Sequence, residues 1–452
     1  MARTARPAVA SDCEPSGLPI DIGILSDRCR PWKGVLEQRE NQPSAPVHRL
    51  NFIEGLRGYL ALWVVVCHVL WACGLGPDVL SGIPKLLRMG EYAVDVFIIV
   101  SGFVIFLLLD TQRSTYTEFV VRRFCRLFPL FITLFAIAIP LSLLSLWNTA
   151  HAAQFLTADQ AQTFEATLRS WWRYLDWHIP LHATMLHGAI PSSLVPNAPG
   201  AFLIPAWSVS LEWQFYLVAP LAYAMAVSSR LRVRIALVGI CLVLYVAART
   251  VLPPVDYSAA LPFKVEYFFM GVVSYFIYKR RPQFAQRNVM FLAGCVVSAI
   301  LLFNATLSWT IPTGLWILFM GALLERPSAI SSLLAAAVFT NPISLHLGRI
   351  SYSVYLSHIL VITALQFMLL AGLPQLTLGA HFAVLLVSAM AVTVAVSTVL
   401  HRWVEVPGIN LGRTLARKLS ERRAIAAPAG DDIATTGRWH LIGQRLRRRR
   451  MG

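Results

Sequence analysis

Four ionisable residues, Arg57, His68, Asp95 and Glu212, stand within or at the edge of apolar runs. Charged groups in such places cost roughly 2.5–3.5 kcal/mol on insertion scales, so each calls for a partner, a cavity or a task. The run Glu54-Gly-Leu-Arg57-Gly-Tyr-Leu-Ala-Leu-Trp-Val-Val-Val-Cys-His68 carries a guanidinium and an imidazole eleven positions apart. On an α-helix that separation is about 20° from whole turns and roughly 16 Å along the axis, so both side chains face one way at different depths. A fixed cation at one level can hold an anionic donor, and an imidazole deeper in can take a proton from a hydroxyl. The plainer readings are a topology anchor for Arg57 and a helix-packing hydrogen bonder for His68.

Asp95, in Gly90-Glu-Tyr-Ala-Val-Asp95-Val-Phe-Ile-Ile-Val-Ser101-Gly102-Phe103, falls at a depth comparable with His68 if the two helices run in opposite directions. A carboxylate there can orient the imidazole and stabilise its protonated form, or sit hydrated at the helix start. Ser101 and Gly102 make a small surface for close helix approach. Trp207-Ser-Val-Ser210-Leu-Glu212-Trp-Gln-Phe-Tyr216 reads as the polar wall of a pocket, with Trp207, Ser210 and Tyr216 as candidate substrate contacts; the alternative is an interfacial aromatic belt with one hydrated carboxylate. Arg123 and Arg126, in Arg122-Arg123-Phe-Cys-Arg126, and Arg349 at the head of a later run can join Arg57 in a cationic mouth for a nucleotide phosphate. Each of these cations, taken singly, is also what a topology rule predicts. His358, nine residues beyond Arg349, lies about 14 Å deeper and is a further candidate pocket residue.

The elements that position these groups follow from composition. Of 452 residues 56% are hydrophobic and 14% charged, with a mean hydropathy of +0.60, far from the balance of a soluble domain. Apolar windows predict an all-α, polytopic bundle of about ten transmembrane helices near 53–73, 92–110, 127–148, 207–227, 233–251, 261–279, 288–306, 310–324, 350–371 and 380–401, with 328–345 interfacial or a partial span. The Lys and Arg residues behind the net charge of +16 lie between these runs and at the chain ends, a pattern of membrane topology rather than of nucleic-acid binding. With ten spans the cations fall on one side, which places both termini in the cytosol.

The first 48 residues carry no apolar h-region and read as a disordered cytosolic arm, residues 49–405 as the membrane domain, and 406–452 as a basic cytosolic tail. That tail ends in Arg445, Arg447, Arg448, Arg449 and Arg450, a cluster able to lie on anionic lipid or simply to be a solvated anchor. The long connection 149–206, with Trp171, Trp172, His178, His182 and His187, is either a lid or re-entrant element over the outer mouth or an aromatic belt. The seven cysteines show no C-x-x-C pair, so neither a disulfide framework nor a metal site is expected.

The ordered set of these stretches resembles the acyltransferase-3 family of integral membrane acyltransferases, which includes bacterial O-antigen and exopolysaccharide O-acetyltransferases. The matching residues are Arg57 to His68, Val94-Asp95-Val-Phe with Ser101-Gly102-Phe103, Arg123 to Pro129, Trp207 to Glu212, Phe268-Phe-Met-Gly271, Gly348-Arg-Ile-Ser-Tyr-Ser-Val-Tyr355-Leu-Ser-His358 and His401-Arg-Trp-Val-Glu405 with Pro407. The resemblance implies a ten-helix domain in a bacterial inner membrane. It implies transfer of an acyl group, commonly acetyl, from cytosolic acyl-CoA to a hydroxyl of a carbohydrate or lipid-linked glycan, with Arg57 and His68 essential and Arg126 and Glu212 further candidates. A second class of function, a proton-coupled transporter or flippase, fits buried His, Asp and Glu residues too. It would want an inverted repeat, and none is seen in the sequence.

Overall fold

The computed structural model describes residues 45–76, 78–112, 114–152, 155–280, 311–316, 320 and 337–426. The unit Arg49–Gly452 carries all that follows. Residues 1–44 of the expected arm, the expected span at 288–306, most of that at 310–324 and the terminal arginine cluster lie outside the described residues. Within them the chain is helical, with no strand.

In chain order the helices are α1 (Ala45–Ala72), α2 (Gly82–Arg88), α3 (Glu91–Thr111), α4 (Tyr116–His151), α5 (Ala158–Arg173), α6 (Leu175–Ala183), α7 (Ala206–Ala226), α8 (Leu231–Thr250), α9 (Val265–Arg280), α10 (Pro342–Arg349), α11 (Ser351–Gly372), α12 (Leu378–Leu400) and α13 (Val406–Ala426). Among the described residues six stretches are long and apolar enough to cross a bilayer: Asn51–Ala72, Glu91–Thr111, Tyr116–His151, Leu231–Thr250, Ser351–Gly372 and Leu378–Arg423. Helix α8 buries only Ala248 and leaves Leu242 and Val243 exposed, an apolar outer face that suits lipid and not water. The chain is a multi-pass membrane protein.

Three local features depart from the sequence reading. Arg122, Arg123 and Arg126 are not in a connection before a span: they lie on the first turns of α4. Thr115 caps that helix, its hydroxyl accepting from Glu118 N while the Glu118 carboxylate accepts from Thr115 N, so the helix starts eleven residues before the apolar window. The helix of the last expected span does not stop at 401. A π-helical turn at His401–Glu405 carries the chain into α13, which packs along α4, so the first part of the expected tail is helix. The long connection folds into α5, α6 and a 3-10 turn at His187–Ala189.

Core packing is continuous through α1, α3, α4, α7, α9 and α11, with a smaller cluster where Val65 and Val69 of α1 meet Val354 and Ile362 of α11 and Leu385 of α12. A close crossing joins α3 to α9. A Cβ on Gly271 would stand 2.2 Å from the Ile99 carbonyl oxygen, and one on Gly102 2.6 Å from that of Phe268, so glycine is required at both to bring the backbones together. That crossing fixes Ser101, the neighbour of Gly102, against the next helix.

Candidate active site

Arg57 on α1, Ser101 on α3, Arg123 and Arg126 on α4, Glu212 and Tyr216 on α7 and Tyr352 and Tyr355 on α11 line one cavity of about 130 Å³. Seven helical turns of α4 are needed to reach His151 from here, so the capping box that starts α4 early is what brings Arg123 and Arg126 level with Arg57. Glu212 Oε1 accepts from the Tyr216 hydroxyl one turn on, and from Ser101 Oγ at 3.3 Å. The Arg123 guanidinium lies over the Tyr216 ring, 5.7 Å from its centre, and over that of Phe119 at 5.8 Å. Arg57 and Arg126 stand within electrostatic reach of each other and of both Glu212 and Glu405. Three guanidiniums against two carboxylates leave the cavity with an excess positive charge, and Arg123 Nε has no hydrogen-bond partner. An anion of suitable shape would satisfy both.

Glu405 is brought inward by the π-turn. Its Oε2 accepts from Ser353 Oγ at 2.9 Å and pairs with His401 Nδ1 at 2.9 Å. Tyr352 OH donates to the Leu127 carbonyl at 2.9 Å, tying α11 to α4 beneath the arginines. Ser208 Oγ, on α7, donates to Tyr355 OH at 2.8 Å. Residue types alone did not reveal Glu405 or Ser353 as neighbours of this site, because each is placed by a contact between distant helices, whereas Ser208 shares the helix and the expected pocket wall of Glu212.

His68 lies about three turns beyond Arg57 on α1 and faces His358 of α11. The rings sit 4.8 Å apart, with His358 Nε2 3.3 Å from His68 Nδ1. His68 Nδ1 also lies 2.9 Å from the Val64 carbonyl, and His358 Nδ1 3.2 Å from that of Val354. A carbonyl only accepts, so both imidazoles carry their proton on Nδ1 by this network. His358 Nε2 then has only a lone pair to offer the His68 Nδ1–H. The Nε2 of His68 is left unprotonated, the form in which an imidazole acts as a base.

Four of the expected site residues are placed otherwise. Asp95 does not touch His68: its Oδ1 pairs with Lys264 Nζ at 2.6 Å, both side chains being largely buried. Lys264, just ahead of α9, is 169 positions away, and nothing local in the sequence pairs the two. Arg349 is exposed at the end of α10 and does not line the cavity, because α10 stops there and α11 restarts with Ser351 turned inward. Ser210 is spent on structure, its Oγ accepting from Gly188 N at 2.9 Å and from Gln214 Nε2 at 3.3 Å. Trp207 is buried against Tyr257, the rings stacked at 6.0 Å, and is no part of the arginine cavity.

The connection between α4 and α7 buries three imidazoles. His182 stacks on His187 at 4.0 Å and on Phe135 at 4.2 Å, and His178 stands edge-on to Phe202. Burial away from water pushes His178 and His187 down to about 4 and His182 well below its ordinary value, so all three are neutral at pH 7. The rings stack instead of converging, and among the described residues no group of three or more His, Cys, Asp or Glu side chains is set to hold a metal ion.

Among known proteins, the model of the acyltransferase-3 family, described as an acyltransferase domain, matches residues 50–402. "Acyltransferase MdmB" of Streptomyces mycarofaciens is 28% identical over 187 residues, 40% of this chain and 40% of that one. "Putative acetyltransferase ORF330" of Acidianus two-tailed virus is 23% identical over 323 residues, 68% of this chain and 82% of its own length. No solved structure matches the chain.

Proposed function

The chain is a member of the acyltransferase-3 family and an acyltransferase, and from that premise we propose that it moves an acyl group, acetyl by expectation, from cytosolic acyl-CoA to a hydroxyl of a carbohydrate or lipid-linked glycan across a bacterial inner membrane. The observation that carries this reading is the stacking of functions along shared helices. The cation-rich cavity of Arg57, Arg123 and Arg126 lies at one level and the His68–His358 pair about three turns deeper. The arginine level is the donor's: phosphates of CoA meet guanidiniums there, and Arg123 Nε gains the acceptor oxygen it lacks. The extended pantetheine arm bridges the roughly 16 Å from Arg57 to His68 and delivers the thioester to the imidazole.

In the step itself the acceptor hydroxyl oxygen attacks the thioester carbonyl carbon, and His68 Nε2 takes the hydroxyl proton. The C–S bond breaks as the new ester forms, and the imidazolium returns the proton to the departing thiolate, giving free CoA. His358, through its Nε2, holds the His68 ring in the tautomer that keeps Nε2 free. Glu212 orients the arginines in place of the imidazole, since it shares their cavity. Asp95 belongs to the Lys264 ion pair.

Purified protein in lipid nanodiscs, given radiolabelled acetyl-CoA and a glycan acceptor, is expected to yield covalently labelled acceptor and free CoA. Movement of label across the bilayer without covalent transfer would instead support a carrier and end this reading.

A further inference from the structure

A second cavity, of about 350 Å³, opens at the other end of the same helices. Trp71 and Ala72 of α1, Ser142, Ser145 and Asn148 of α4, and Ile359, Thr363 and Gln366 of α11 line it, with Trp171, Phe164 and Phe202 from the connection between α4 and α7. Trp71 is three residues past His68 and Ile359 one past His358, so the cavity starts within about a turn of the imidazole pair, on the side away from the arginines. Its volume is within the roughly 300–1,000 Å³ of small-molecule sites.

Two features of its lining define the chemistry it can hold. Among the described residues no Asp, Glu, Lys or Arg lines it, so a carboxylate or phosphate entering here would lose water and find no counter-charge. The polar groups present are hydroxyls and amides, interleaved with indole and phenyl faces. Some are already used: Ser142 Oγ accepts from Trp172 Nε1 at 3.1 Å and donates to the Ile139 carbonyl, and Gln366 Nε2 donates to the Ala72 carbonyl at 2.9 Å. Two that are fully buried are not. Asn148 Nδ2 donates to the Thr363 carbonyl at 2.9 Å, which fixes the amide, yet its Oδ1 has no partner, and neither has Trp171 Nε1. Both residues are only 6% exposed. A buried acceptor and a buried donor left open are costly unless a ligand completes them, and a hydroxyl, which both gives and takes a hydrogen bond, is the group that suits the two together.

We propose that this cavity is the acceptor site, and that it takes an uncharged sugar or polyol ring, with its C–H face on the aromatic side chains and its hydroxyls on Asn148 and Trp171, while excluding uronates and sugar phosphates. This rests on the acyl-transfer reading above and narrows its acceptor to neutral glycans. The ring's free hydroxyl then lies next to His68 Nε2, and the rest of a longer glycan extends toward the open side.

The test uses the full-length protein in nanodiscs and saturation-transfer NMR with methyl β-D-glucoside and methyl β-D-glucuronide. Saturation of the glucoside ring is expected, with a glucuronide signal weaker by at least about tenfold, as expected for an unpaired carboxylate that must be desolvated. Trp171→Phe, which keeps the ring face and removes the N–H, and Asn148→Leu should each weaken glucoside binding by about threefold to tenfold, with acetyl-CoA affinity showing that the variants are folded. Equal signals from the two sugars, no signal from either, or an unchanged signal in both variants overturns the proposal. His68→Ala separates the two readings: it should keep glucoside binding and lose CoA release. If it keeps both, the base assignment fails and the acceptor site stands.

Discussion

At one end of α1, α4 and α11 the cavity wall is Arg57, Arg123, Arg126, Glu212 and a set of tyrosines; at the other it is Trp71, Asn148, Thr363, Gln366 and Trp171, with no charge among the described lining residues. The same three helices build both. On α4, Arg126 and Asn148 are 22 positions apart, about six turns, and the intervening residues include the core side chains of Leu127, Leu130, Phe131, Leu134, Phe135 and Ala138. In the charged cavity the two carboxylates are answered, Glu212 by Tyr216, Ser101 and the nearby arginines and Glu405 by Ser353 and His401, while one guanidinium remains in excess. In the neutral one Ser142, Asn148 and Gln366 donate to backbone carbonyls of their own or the next helix. The difference teaches that register along a shared helix, and not separate domains, makes one end cationic and the other uncharged; in the function proposed here the first takes the anionic donor and the second a neutral acceptor, with the imidazole pair as the boundary.

The harshest way to test that division is to remove the boundary. His68→Ala should cut acyl transfer by about 10²–10⁴-fold, the range of a lost general base, while donor affinity stays within about twofold of the parent. Labelling of acceptor from acetyl-CoA and a separate acyl-CoA binding measurement give the two numbers. A large loss of donor affinity would show that the imidazole belongs to the cationic cavity and that the two ends are not separate.

The buried ion pair that lines neither cavity can be broken next. Lys264→Met leaves the buried Asp95 carboxylate unanswered and should destabilise the folded protein by about 3–5 kcal/mol, read by thermal unfolding in nanodiscs. The double variant Asp95→Asn, Lys264→Met should recover most of that loss. If Asp95 acted on His68 instead, Asp95→Asn alone would lower turnover without the matching change in stability.

Arg126→Gln should then lower acyl-CoA affinity by about 10–100-fold and leave saturation transfer to methyl β-D-glucoside unaltered, since hydrogen bonds to charged groups contribute about 1.5–3 kcal/mol. Parallel loss of both ligands would mean that the variant disturbs the bundle as a whole. Arg349→Gln serves as the control, because that side chain is exposed on α10 and lies outside the cavity.

Much of this was legible in the sequence, and the failures have physical causes. The Arg57–His68 stripe follows from helical period alone, and each expected span that falls on described residues, apart from the partly described 310–324 run, contains a helix. Ser101-Gly102 was readable as a packing surface because small residues have one dominant use in apolar helices. The placement of Arg123 and Arg126 on α4 was missed although its signal was present, in the Thr115-x-x-Glu118 capping box. Asp95 with Lys264 and Glu405 with Ser353 are contacts across 169 and 52 positions, set by tertiary packing that no local pattern encodes. Arg349 and Ser210 were misplaced for the same reason: residue type indicates what a side chain can do, and the neighbouring helix decides whether it is free to do it.

Acid should separate the two ends reversibly. Buried His178, His182 and His187 sit behind Phe135 and Phe202, the latter a wall residue of the neutral cavity. Their folded values lie below the ordinary 6.5, at about 4 for His178 and His187, so an opened form of this segment binds more protons than the packed form between those values. The packing is therefore fully favoured above about pH 6.5 and loses stability as pH falls toward 4. Hydrogen exchange in residues 175–205 should rise, and glucoside saturation fall, between pH 7 and 5, with acyl-CoA affinity changing less. Equal loss at both ends would remove the histidine stack as the cause.

The mildest test lies within the charged cavity. Ser101 Oγ donates to Glu212 Oε1 at 3.3 Å, a long contact beside the stronger one from Tyr216. Ser101→Ala deletes that donor and leaves the carboxylate with Tyr216 and the arginines, so no buried charge loses its main partner. The added Cβ geometry is unchanged, and the neighbouring Gly102 crossing is untouched. A net hydrogen bond of about 0.5–1.5 kcal/mol is the upper limit of what can be lost, and a contact this long should stand at its lower end. Acyl-CoA KM should therefore rise about twofold, with kcat and glucoside binding unchanged. If Glu212 instead served the chemistry at His68, freeing one of its oxygens would shift kcat, and a steady-state comparison of the two parameters decides between an orienting carboxylate and a reacting one.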